Sequence, residues 1–213
     1  MDAVPTVQGP EELPQGRRGD TRARIQQVAL ELFAEHGYER TSLREIAERL
    51  GVTKAALYYH FKSKEDIVRS FTEDYFDRLD ALIEWGKDQP ATAQTASELL
   101  DRYVSIVMES GEVFRFMERN QATLRDTDHS KHRFTQFRPR LNALIEILTG
   151  PEAPPRSRIR AAAALFAAST SCMFFMKDAL APEADQAQPI DGGELHKIVL
   201  ELAEDLARGI GPA

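Results

Sequence analysis

Residues 42–64 concentrate side chains able to grip a polyanion. Thr53 and Lys54 open one cluster, Tyr58, Tyr59 and His60 follow, and Lys62 and Lys64 close it. A helix from Thr53 to about Tyr59 puts Thr53 and Lys54 at an N-terminus, where free N–H groups and the helix dipole attract phosphate. Tyr58, Tyr59 and His60 supply donors at its far end, so a row of phosphates is held from both ends. Ser42 and Arg44 bring the start of a preceding helix to the same strand. Arginine and lysine also pair with guanine edges, and the small Ala55 permits close approach, as to a thymine methyl.

The surrounding residues say how such a face is presented. Ile25, Val28, Ala29, Leu32 and Phe33 recur at helical spacing, and Gly37 supplies a left-handed stop. A short second helix carries Leu43, Ile46, Ala47 and Leu50. Ser42 and Glu45 have capping-box spacing at its start, and Gly51 ends it. Val52 plugs the turn, while Ala56 and Leu57 pack back. Helix, tight turn, helix leaves one face of the third helix free for a groove about as wide as a helix.

Beyond it a long helix starts at Ser63 and runs to about Trp85 through Ile67, Phe71, Tyr75, Leu79, Leu82 and Ile83. Further helices are expected at about 95–109, 111–125, 129–148, 156–180 and 193–208, with Pro- and Gly-marked loops between them. Pro139 predicts a kink or break in the third of these. Strand signals are nearly absent. The expectation is an all-α chain of about nine helices. It divides into a disordered basic-ended arm (1–19), a helix-turn-helix domain (20–66) and a helical body (67–213).

The ordered set Gly37-Tyr38, Thr41 to Ala47, Gly51-Val52, Leu57 to Phe61 and Lys62-Ser63-Lys64 closely resembles the DNA-binding domain of tetracycline-repressor-like (TetR family) regulators. The resemblance covers about Arg22 to Asp66. It implies that Arg44, Thr53, Lys54, Ala55 and Tyr58 read base edges or adjacent backbone of double-stranded DNA. It implies that Ser42, Tyr59, His60, Lys62 and Lys64 grip phosphates. Arg17, Arg18 and Arg22 are candidates for an arm in the neighbouring minor groove. The resemblance further implies a homodimer formed by the last two helices, for which Phe166, Leu195, Val199, Leu202 and Leu206 are the candidate interface residues.

Charge is consistent with a local polyanion site. Residues 17–64 carry ten basic and six acidic residues, a balance of +4 that leaves −11 for the rest of a chain at −7. With 213 residues and 42% apolar content the chain has material for a sizeable core, which argues against disorder throughout. One cysteine, Cys172, excludes an intrachain disulfide and reads as a small core residue. Met1–Arg18 holds no apolar export segment, so the expected location is the cytoplasm. The longest mostly apolar run, Ala161–Met176, falls short of the roughly 20 residues of a membrane span and reads as a helix buried on several sides. No membrane partner is expected.

An effector pocket is expected among the middle helices. Its candidate lining is Trp85, Tyr103, Met108, Phe114, Met117, Phe134, Phe137, Met173 and Phe174, with Asn120, Gln121, His129 and His132 as polar anchors. Such a lining suits an apolar or aromatic small molecule. His129 and His132 are three apart, but no third ligand lies nearby, so no metal is expected. No cofactor is expected either. Catalytic motifs such as G-x-S-x-G, H-E-x-x-H and the P-loop are absent from the sequence, so an enzyme is not expected. The leading expectation is a ligand-responsive repressor. The alternative is a DNA-binding regulator controlled by a protein partner or by no effector.

Overall fold

Helix ends in this chain are set by side chains placed to cap them. Ser42 Oγ accepts from Glu45 N (3.2 Å), Thr53 Oγ1 from Ala56 N (3.1 Å), Ser63 Oγ from Asp66 N (3.1 Å) and Thr92 Oγ1 from Thr95 N (3.1 Å). Each satisfies a donor that the first turn leaves without an intrahelical partner. The computed structural model describes residues 15–124, 129–179 and 190–209. Regular structure among them is entirely α-helical. It comprises α1 (Gln15–His36), α2 (Leu43–Leu50), α3 (Lys54–His60), α4 (Lys64–Lys87), α5 (Ala93–Glu109), α6 (Gly111–Arg119), α7 (Gln121–Leu124), α8 (His129–Thr149), α9 (Pro155–Ala179) and α10 (Gly192–Ala207).

Three of these differ from the expectation. α1 begins at Gln15, so Gln15–Gly19 is helix rather than arm, and residues 1–14 lie outside the described ones. Once a helix is nucleated each added residue gains a backbone bond, and the apolar pattern does not record that extension. The stretch expected as one helix over 111–125 is divided at Asn120, whose Nδ2 donates to Phe116 O (2.9 Å) and closes α6. Of the kink or break expected at Pro139, the break does not occur: α8 continues through it.

The chain forms two compact units, Met1–Val68 and Arg69–Ala213. In the first, Ile25, Ala29, Leu32 and Phe33 of α1 are buried together with Ile46 and Ala47 of α2 and Leu57 of α3. In the second, α9 packs against α5, α8 and α10 through Ala161, Ala164, Leu165, Ala168 and Cys172. The small residues allow close helix approach. Arg140 of α8 forks onto Asp80 of α4, Nε to Oδ1 at 2.8 Å and the terminal nitrogen to Oδ2 at 2.6 Å, with its guanidinium 4.5 Å from the Phe76 ring.

α9 is buried on one side only, not on several. Ile159, Phe166, Met173, Phe174 and Phe175 are exposed large apolar residues. By length and composition alone, Pro155–Met176 is long and apolar enough to cross a membrane, longer than the run counted in the sequence. On α10, Leu195 and Val199 turn into the chain's own core rather than outward, because their spacing matches the buried stripe that faces α5 and α9. The outward apolar residues of α10 are Ile198 and Leu202.

Burial also sets the alkaline limit of the fold. It pushes the Cys172 thiol up to about 11, and the Tyr75 and Tyr103 phenols upward as well. These groups lose their protons more readily once unfolded, so their contribution is intact below the ordinary thiol value of 9.0 and is lost as pH rises through the folded value. Folded protein is expected to leave Cys172 unmodified by iodoacetamide at about pH 8, with modification appearing only in denaturant. Urea midpoints should fall steadily above about pH 9.

Candidate nucleic-acid interface and ligand cavity

α3 is held by one buried side chain and presents the rest. Leu57 is fully buried, whereas Thr53, Lys54, Ala55 and Tyr59 are exposed, and Tyr58 and His60 are half-buried. Gly51, at φ +69°, takes the left-handed conformation that turns the chain between α2 and α3, and Val52 N donates to Ala47 O (3.0 Å) to close the turn. Ser42, Arg44 and Lys62 are exposed in the same unit. Lys54 Nζ lies 5.3 Å from the Tyr58 ring centre, and the Tyr59 and His60 rings meet edge to face at 5.3 Å. Arg44 Nε pairs with Glu48 (2.7 Å) in the open, where such a pair exchanges readily with solvent. The exposed Lys62 Nζ donates to Tyr58 O (2.6 Å).

Lys64 is arranged differently from its neighbours. It is half-buried, and its Nζ donates to the carbonyls of Tyr38 (2.6 Å) and Glu39 (3.3 Å) while lying 4.5 Å from the Tyr38 ring centre. The Tyr38 hydroxyl in turn donates to Glu65 Oε1 (2.9 Å). Two of the three ammonium donors are thereby spent on joining the start of α4 to the turn after α1. Tyr38 belongs to the motif read from the sequence, but its pairing with Glu65 does not follow from it, since nothing in a one-dimensional pattern pairs residues 27 apart. The second half of the capping box at Ser42 is also absent: the Glu45 carboxylate turns to His36 Nδ1 (2.6 Å) and so ties α2 to the end of α1. Arg22 stacks on Phe61 (4.8 Å), and Arg17 and Arg18 belong to α1, so none of the three extends from a disordered arm.

The second unit contains a cavity of about 410 Å³. Of the candidate lining, Phe114, Met117, Gln121, Phe137 and Met173 meet there. Trp85 does not: it packs at the edge of the core beneath the Arg102 guanidinium, 4.1 Å away. Met108 packs on the core outside the cavity lining. Tyr103 lies in the core, its hydroxyl 2.6 Å from Ser169 Oγ. Asn120 is spent on capping α6, and Phe174 is 64% exposed. The side chains of His129, His132 and Phe134 lie outside the described residues. Phe71, Thr72, Tyr75 and Phe76 of α4 line the cavity unforeseen, because helical periodicity cannot separate a cavity wall from core. Phe166, a candidate for the dimer interface, lines it too. Among the described residues no group of His, Cys, Asp and Glu is arranged to hold a metal ion.

Comparison with known proteins bears on both units. Residues 25–71 match the family model for bacterial regulatory proteins of the tetR family. The HTH-type transcriptional repressor KstR2 of Rhodococcus jostii (strain RHA1) is 35% identical over 94 residues, covering 40% of this chain and 46% of the relative. The HTH-type transcriptional regulator AcrR of Shigella flexneri is 48% identical over 54 residues, 25% of each chain. The chain thus spans less than half the length of these relatives. Among solved structures, the TetR family transcriptional regulator PfmR of Thermus thermophilus superposes with a TM-score of 0.61 at 21% identity, over 89% of this chain and 100% of that one. The transcriptional regulator FadR of Bacillus subtilis, in complex with stearoyl-CoA, gives 0.61 at 20% identity, over 88% and 98%. At such identities the shared property is the fold.

The Lys64 contacts carry a stability prediction. Lys64→Met keeps the aliphatic stem and removes the ammonium, leaving the Tyr38 and Glu39 carbonyls without that donor. It is expected to cost about 1–2 kcal/mol in urea unfolding followed by circular dichroism. A Lys62→Met control, at an exposed position, should cost less than about 0.5 kcal/mol.

Proposed function

We propose that this chain, which belongs through residues 25–71 to the tetR family of bacterial regulatory proteins, is a ligand-responsive DNA-binding repressor that works as a homodimer in the cytoplasm. The observation that carries the reading is α3, which buries Leu57 and turns Thr53, Lys54, Ala55 and Tyr59 to solvent. Lys54 and Arg44 are suited to guanine edges, and Ala55 to close approach. Ser42, Tyr59, His60 and Lys62 are suited to phosphate. Lys64 serves the reading head chiefly as the clamp that holds α4 to it.

A dimer supplies two reading helices for a two-fold symmetric site roughly one turn of DNA long. Its interface is proposed on the outward faces of α9 and α10, around Phe166, Ile198 and Leu202, with Leu206 at the edge; all of these are exposed or half-buried and apolar. The effector is proposed to fill the cavity lined by Phe71, Tyr75, Phe114 and Phe137. α4 begins in the reading-head unit and carries Phe71 to Phe76 on the cavity wall. A ligand that moved α4 would therefore alter how two heads address one operator.

Selection from a random-sequence DNA pool tests the reading, with enrichment of a two-fold symmetric site expected. No enrichment, with or without candidate ligands, would overturn it. On the selected site Lys54→Ala should weaken binding and lower the slope of log affinity against log salt by about one. Leu202→Glu should convert a dimer to a monomer in analytical ultracentrifugation while leaving the helical signal unchanged.

A further inference from the structure

We infer that the cavity in Arg69–Ala213 takes a hydrophobic organic cation, a protonated amine carried on a compact ring system; this rests on the reading of that cavity as the effector site. Six aromatic rings line it, from Phe71, Tyr75, Phe76, Phe114, Phe137 and Phe166. Their faces carry the negative end of the ring quadrupole, which attracts a cation and repels an anion.

One hydroxyl of the wall, that of Ser169, is committed as a donor elsewhere. Ser169 has one hydroxyl proton, and it donates to Leu165 O (2.9 Å). Tyr103, 2.6 Å from Ser169 Oγ, must therefore donate to it. Ser169 lines the cavity, beside Thr72, Gln121 and Thr170, and has only lone-pair capacity left to offer an occupant.

Glu118, an exposed residue, adds a negative charge on the solvent side of the lining. Its carboxylate has no hydrogen-bond or ion-pair partner among the described residues, and no Lys, Arg or His lines the cavity among them. A carboxylate or phosphate on the ligand would meet like charge and ring faces together. An ammonium meets a carboxylate, acceptors and ring faces, while its hydrocarbon body fills the apolar remainder. The volume of about 410 Å³ falls within the ordinary range for small-molecule sites.

Three probes that differ in one group decide the matter: adamantylmethylamine, adamantylmethanol and adamantane carboxylate, titrated calorimetrically into the full chain at neutral pH. The amine is expected to bind about tenfold more tightly than the alcohol, and the carboxylate most weakly. Glu118→Gln should weaken the amine by about tenfold and leave the alcohol within about twofold. A carboxylate that binds as tightly as the amine, or an amine preference that survives Glu118→Gln, overturns the cation assignment. Retained alcohol binding would in that case leave the effector cavity standing. Failure of all three probes to bind overturns both.

Discussion

A helix of seven residues has no stability of its own in water, because nucleating it costs more than its few backbone bonds return. The reading head is organised around that constraint. α3 exists because Leu57 is buried against the neighbouring helices, Thr53 caps one end, and Phe61 N donates to Leu57 O at the other. α2 is hardly longer, and it too is held from outside, through Glu45 to His36 and Arg49 to Glu35 (3.0 Å) on α1. Anchoring α3 by a single apolar residue is what frees the remaining face. A second buried side chain on α3 would have stabilised it and removed a position from the surface that meets a groove.

The same economy explains why Lys64 differs from Lys54 and Lys62. A short helix that presents nearly all its residues cannot also hold the following helix, so that task passes to residues flanking it. Lys64 spans from the start of α4 to the Tyr38 and Glu39 carbonyls, and Tyr38 returns the link through Glu65. Charge near a polyanion surface is thus divided between groups left free to meet phosphate and one spent internally. Composition alone treats them as equivalent.

The larger unit is built on a different principle. α9 meets α5, α8 and α10 through alanines and Leu165, a surface smooth enough for close approach. Where α4, α6 and α8 bring aromatic and thioether side chains together instead, the bulky groups cannot close on one another and a cavity remains. On its wall Ser169 is hydrogen-bonded to the Tyr103 hydroxyl and donates to Leu165 O.

Local order in the chain was legible from the residues themselves. Ser42, Thr53 and Ser63 announce helix starts and Gly51 a turn, because a cap or a left-handed backbone is a property of a few adjacent residues. The order of motifs from Gly37 to Lys64 carried the family resemblance for the same reason: contacts within a helix-turn-helix are short in sequence. What the pattern could not supply was the identity of each apolar residue's neighbour. Phe71 and Tyr75 share the periodicity of core residues and line a cavity; Leu195 and Val199 share that of an outward face and are buried; Phe174 lies in an apolar run and is exposed. A helical period specifies which residues share a face, but only the packing of α4 to α10 decides whether that face meets protein, solvent or empty space.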